Sequence, residues 1–289
     1  MSRNKDRMGL GEMPTPENAE VPPQMMNQGN NDNPFSFIVP TEFVELPSMG
    51  MFYAQGHPLH NQTTIEIKQM TAKEEDILTS RALLKQGIAI DRLISSIIVN
   101  KSINPNTLLV GDRNAILIAA RVSGYGNVYE TSVRCPACGE TNKHMFNLSD
   151  LSTYTGDGID PTEIETNNDG TFNTTLPKSG VEVTFRLLNG QDEKALLSQA
   201  ENARKRKGNE NAITRQLKRL ILAVNGNTEL KNINYVVDNM PSSDARHLRL
   251  MYKIATPNID MSQKFECESC GHEEDMEVPL TADFFWPDR

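Results

Sequence analysis

The chain has 289 residues, of which 37% are hydrophobic, and a formal net charge of −9. That length suits one large domain or two smaller ones with a core of moderate size. The acidic balance argues against a whole-chain attraction to nucleic acid or an anionic membrane, leaving only a local basic patch, and no apolar run reaches the about 18 residues of a membrane-crossing helix.

Residues 1–34 read as an extended or disordered arm, with five prolines, six asparagines and no aromatic residue. Such a segment buries too little apolar surface to offset its ordering entropy. It is either a solvated tail or an arm that orders on a partner. An N-terminal α+β domain is expected over 35–150. Its apolar stretch (Phe35, Phe37, Ile38, Val39, Phe43, Val44, Leu46) is broken by Pro40 and Pro47 and followed by a turn at Ser48-Met49-Gly50. Thr64-Ile65-Glu66-Ile67-Lys68 alternates as a half-buried strand does. Thr71-Ala72-Lys73-Glu74 is a capping box, predicting a helix from Ala72 to about Gln86 that stops at Gly87. A second helix over Ile90–Asn100 puts Leu93, Ile94, Ile97 and Ile98 on one face. A third, capped by Asp112, is apolar nearly all round and is expected at the centre of the domain. Gly124-Tyr125-Gly126 ends it and is no nucleotide loop, since no strand precedes it and no third glycine follows. Val128–Arg134 is a strand.

Residues 151–180 are polar and read as a long loop or small hairpin, with no EF-hand spacing among the acidic positions. A strand plus helical domain is expected over 181–263. It holds a strand at Val181–Leu187 and helices at Gly190 to about Arg206, Ala212–Val224, Leu230–Asp238 and from Ser242 to the stop at Pro257. Arg204, Lys205, Arg206 and Lys207 with Arg215, Lys218 and Arg219 form a basic region. It reads as a solvated helical face, with a docking surface for an acidic partner as the second reading. Residues 264–289 include Phe284-Phe285-Trp286, expected to pack over the two cysteine hairpins rather than into a neighbouring chain.

The chemistry lies in the four cysteines. Cys135-Pro136-Ala137-Cys138-Gly139 and Cys267-Glu268-Ser269-Cys270-Gly271 are each C-x-x-C-G, with an apolar residue two places before the first cysteine. A shift of 132 positions, which lays Cys135 on Cys267, also lays Phe146 on Val278 and Leu148 on Leu280, so one hairpin is used twice. Each motif is a zinc knuckle supplying half a tetrahedral site, with glycine permitting the turn. The reading is a four-cysteine zinc ribbon built from two knuckle hairpins, its zinc structural because four thiolates leave no position for water. Disulfides, a redox pair, unbound thiols and an iron–sulfur cluster are the alternatives. The chain shows no signal peptide, which disfavours an oxidising compartment. His144 and His272 lie near enough to replace a cysteine, but their expected state is exposed on the hairpins.

Several stretches together resemble a known family. They are Phe43–Tyr53, Met70-Thr71-Ala72-Lys73-Glu74-Glu75-Asp76-Ile77-Leu78, Leu109-Val110-Gly111-Asp112-Arg113-Asn114, the two knuckles and Phe284-Phe285-Trp286-Pro287. In this order, over Phe43–Pro287, they resemble the baseplate proteins of T-even-type contractile-tailed bacteriophages, in particular hub subunits and hub assembly factors. The resemblance implies a non-enzymatic role in building the central hub, made in the host cell cytoplasm and in some members retained in the virion tail. The implied partners are other hub or tail proteins, with homo-oligomers also open. No G-x-S-x-G, H-E-x-x-H or P-loop occurs, so no enzyme is expected. The alternative is a zinc-ribbon regulator associated with nucleic acid or transcription. Against it stand the carboxylates around the second knuckle (Glu266, Glu268, Glu273, Glu274, Asp275), which repel phosphate.

Overall fold

The computed structural model describes residues 39–205, 211–279 and 282–285. The arm read over 1–34, Arg206, Lys207 and Trp286 lie outside these. The first elements follow the apolar spacing closely. Strand β1 (Thr41–Glu45) pairs antiparallel with β2 (Thr64–Lys68), and Ile65 and Ile67 turn inward. Helix α1 (Ala72–Thr79) begins where the capping box puts it, with Glu74 reaching back to the Thr71 N–H at 3.0 Å. The single helix expected to Gln86 is broken, however. Ser80 is extended, and its hydroxyl accepts from Leu83 N to start α2 (Arg81–Lys85). A serine that bonds backbone locally favours a cap over a helix interior. Helix α3 (Ala89–Ile97) buries Leu93, Ile94 and Ile97 completely.

Helix α4 (Val110–Tyr125) is central, as its composition suggested, but two expectations about it change. Asp112 does not cap it: Leu109 holds that place, and the Asp112 carboxylate turns to the Ser48–Tyr53 loop. Nor is the buried surface only apolar, since Arg113 and Arg121 are buried with Ile116 and Ala120. Gly111 is required here. A Cβ at that position would lie 2.0 Å from the Pro257 carbonyl oxygen, so the helix start and the Pro257 backbone meet at a separation only glycine allows.

Beyond α4 come β3 (Val128–Arg134) and β4 (Thr141–Asn147), then β5 (Ser152–Tyr154), β6 (Glu165–Thr166), β7 (Thr171–Thr175) and β8 (Glu182–Arg186). Within the polar stretch over 151–180 the expected small hairpin forms as β6 and β7, and most of the remainder is turn and irregular backbone. Phe172 and Thr174 point inward from β7, an alternation hidden by the asparagines and threonines around it. Helix α5 (Gly190–Lys205) and α6 (Ala212–Leu220) follow. The helix expected to run on to Val224 stops early, and Ile221–Val224 is strand β9, completing the antiparallel order β6-β7-β8-β9. The Asn225-Gly226 pair, both at positive φ, is the turn after a strand rather than a helix stop. Helices α7 (Leu230–Asp238) and α8 (Ser242–Ala255) match expectation, and β10 (Asn258–Asp260), β11 (Ser262–Glu266) and β12 (Glu273–Glu277) finish the order. The protein is mixed helix and strand, and Val39–Arg289 is one compact unit. Within it β5 pairs with β10 and Leu109 bridges Asn189.

Candidate metal centre

Strands β3 and β4 pair Val133 with Asn142 and Arg134 with Thr141. Strands β11 and β12 pair Phe265 with Glu274 and Glu266 with Glu273. Every one of these positions maps onto its counterpart by the shift that carries Cys135 to Cys267, so the repeat is kept in register. The turns match as well. Cys135 N donates to Glu140 O at 2.8 Å and Gly139 N to Cys135 O at 2.9 Å. Cys267 N donates to His272 O at 2.9 Å and Gly271 N to Cys267 O at 2.8 Å. Gly139 and Gly271 have φ of 77° and 68°, which glycine adopts without a Cβ clash.

The hairpins bring together the four cysteines that their spacing singled out. All four sulfurs lie within 4.8 Å of one another. Cys135 Sγ is 3.8 Å from Cys270 Sγ, and Cys138 Sγ is 3.7 Å from Cys267 Sγ, so the close pairs each join the two knuckles. All four cysteines are free. Four sulfurs about 2.3 Å from one ion stand about 3.8 Å apart along each tetrahedral edge, so the donor set fits a four-coordinate soft metal ion. Cys135 and Cys267 are buried, whereas Cys138 and Cys270 are exposed.

Hydrogen bonding makes the sulfurs unequal. Burial pushes the Cys267 thiol up, but the N–H groups of Cys270 and Ser269 outweigh it and bring its pKa down to about 6. Cys270 receives the His272 N–H, yet the surrounding sulfurs push it up to about 12. Cys138 is likewise raised, despite the N–H of Glu140. Adjacent thiols resist joint ionisation, and a bound dication relieves that conflict.

The histidines stand apart from this set. His144 is half-buried, edge-on to Phe146 at 4.6 Å and to Phe265 at 5.3 Å, so it packs between the hairpins rather than lying exposed. His272 contacts Glu274. Two polar residues missed in the sequence join the hairpins. Asn142 Nδ2 donates to Cys267 Sγ at 3.3 Å. The Gln263 side chain accepts from Asn147 N at 3.1 Å and donates to Asn147 O at 2.6 Å. Their signal was present: each occupies an inward position of an alternating strand where an apolar residue is expected.

The C-terminal aromatics pack as anticipated where they are described. Phe284 is buried and edge-on to Tyr129 of β3 at 5.1 Å. The basic region is partly engaged in joining helices. Arg219 bonds Asp192 on α5 at 2.7 Å, Lys218 pairs with Asp238 on α7, and Arg215 donates to Gln199 O.

The motifs shared with the resembled family are structural junctions. Ser48 N, Ser48 Oγ and Tyr53 Oη all donate to Asp112. Burial raises the Asp112 pKa against those bonds and pushes Tyr53 above its ordinary value. Arg113 reaches Pro105 O at 3.0 Å and Asp91 at 2.9 Å, and Asn114 reaches Asn258. Glu74 accepts from Lys68, Thr71 and Ser96. Among the described residues no helix is long and apolar enough to cross a membrane.

A family model described as T4 bacteriophage base plate protein matches residues 41–286. No curated protein and no solved structure matches the chain.

Proposed function

Because the chain belongs to the family of T4 bacteriophage base plate proteins, we propose that it is a non-enzymatic structural or assembly component of the baseplate's central hub, in which Cys135, Cys138, Cys267 and Cys270 hold one structural zinc ion. The observation that carries the zinc reading is the convergence of four thiols from two in-register hairpins 129 positions apart (Cys138 to Cys267). When bound, zinc supplies a tetrahedral cross-link between thiolates and no redox change of its own. The chain supplies the rest. The knuckle turns aim the sulfurs, backbone N–H groups stabilise them as thiolates, and Phe265, His144 and Phe146 exclude water between the hairpins. A four-sulfur set leaves no open position for substrate, which supports a structural rather than catalytic site.

A shape-holding centre suits a subunit whose surfaces bind other hub or tail proteins. The exposed carboxylates of β12 (Glu273, Glu274, Asp275, Glu277) count against the nucleic-acid alternative, because they repel phosphate. Elemental analysis of the purified full chain, with quantitative mass spectrometry of phage particles and infected-cell lysate, tests both parts. One zinc per chain and a fixed copy number in the particle are expected for a hub component. Presence in the lysate alone identifies an assembly factor, and zinc-free protein overturns the metal reading.

A further inference from the structure

We infer that Asn142 is a positioning residue of the metal centre, fixing the Cys267 sulfur and strapping the second knuckle to the first hairpin, so that it sets how firmly the ion is held. The inference rests on the zinc reading above and concerns the retention of that ion.

Asn142 lies 8% exposed on the inward face of β4, paired across the ladder with Val133. Its Nδ2 donates to Cys267 Sγ at 3.3 Å, and its Oδ1 accepts from Ser269 Oγ at 3.3 Å. One side chain thus grips both a ligand sulfur and a neighbouring residue of the other knuckle. Under the internal repeat its counterpart is Glu274, which is exposed and faces His272. The hairpins are alike in backbone and register, and they differ here. Cys267 therefore has a side-chain N–H donor in addition to the backbone N–H groups of Ser269 and Cys270.

The chemistry favours an amide at this position. Four thiolates on a dication leave excess negative charge, and Cys267 carries its share where water is excluded. An N–H···S bond spreads that charge and orients the sulfur, as outer-shell partners do at metal sites. An amide has no proton to lose, so the donor is retained across the physiological pH range.

The test uses the full chain loaded with zinc. Release to excess chelator is timed with a metallochromic dye, and the cobalt-substituted protein is examined for its thiolate-to-cobalt absorption. Asn142→Asp keeps the volume but turns a carboxylate oxygen toward Cys267. Release about 10–100-fold faster than wild type is expected, with a shifted thiolate-to-cobalt band. Ser269→Ala, at an exposed position, removes only the strap and is expected to speed release to a smaller extent. It decides the matter should Asn142→Asp not fold. Zinc-bound wild type with wild-type release from the folded variants overturns this inference alone. Wild type that binds no zinc overturns the zinc reading and this inference together.

Discussion

The Arg121 Nε donates to the Phe284 carbonyl oxygen at 2.7 Å, joining positions 163 apart in sequence. The same guanidinium gives Nη1 to Gly126 O at 2.9 Å and Nη2 to Val128 O at 3.2 Å, and its carbon lies 5.2 Å from the Tyr125 ring centre. The side chain is fully buried. Burial lowers its pKa, but an arginine remains charged at any ordinary pH. Backbone dipoles and aromatic faces stabilise the cation, and the end of α4, the start of β3 and the short helical turn at Ala282–Phe285 share one fastening.

Arg121→Met keeps much of the apolar stem and leaves three carbonyls without this donor. A loss of about 3 kcal/mol is expected, since each buried unpaired polar group costs about 1–3 kcal/mol. Urea unfolding measures it. An unchanged midpoint would show that water replaces the guanidinium at no cost.

Cys135→Ser and Cys267→Ser each remove a buried sulfur from the proposed zinc set. Loss of bound zinc is expected in both, and chelator is expected to lower the wild-type melting temperature by about 10 °C or more. Elemental analysis and differential scanning calorimetry read the two effects, and in cells both variants are expected to fail in baseplate assembly. A variant that retained zinc and full function would remove the cross-link from the account.

Glu74 gives a pH signature. Burial alone would raise its pKa, but the Lys68, Ser96 and Thr71 bonds hold it at about 2 instead of 4.5. A carboxylate with a depressed folded-state pKa stabilises above its unfolded value and loses that contribution as pH falls through the folded value. The loss therefore falls between pH 4.5 and about 2. Each tenfold change in acidity is worth about 1.4 kcal/mol, so the loss is at most about 3 kcal/mol, less the part that solvent screens. Glu74→Gln is expected to flatten this limb of a stability-versus-pH curve; a variant as acid-sensitive as wild type would assign the limb to other carboxylates.

Gly111→Ala places a methyl group 2.0 Å from the Pro257 carbonyl oxygen, a backbone atom with little freedom to yield. A cost of about 3 kcal/mol is expected, at the upper end for overpacking. A thermal melt within a degree of wild type would mean that α4 and the Pro257 backbone separate easily.

How much of this was legible in the sequence depended on the range of the interaction. The C-x-x-C-G turns, α7, α8 and β3 are written in spacings of a few residues, and each formed where those spacings put it, whereas α3 ends at Ile97, short of the expected Asn100. The break at Ser80 and the switch from α6 to β9 were missed because helix periodicity ran straight through them. Ser80 preferred a cap, and Ile221–Val224 found a ladder partner in β8. Asp112 was singled out for the right chemistry and the wrong partner, since its hydrogen-bond donors lie 59 and 64 positions earlier. Asn142, and the bond of Arg121 to Phe284, escaped notice because those partners lie more than a hundred positions away.

The in-register hairpins also bear on tension. If an ion joins the knuckles, a pull applied between β1 and Phe285 passes through β3, the sulfurs and β12, bypassing the chain between Cys138 and Cys267. The sheet β6-β7-β8-β9 and helices α5–α8 would then be sheltered from the strain. In a single-molecule extension experiment, the intervening length should be released only after the cross-link parts. Chelator should turn that late step into an early one.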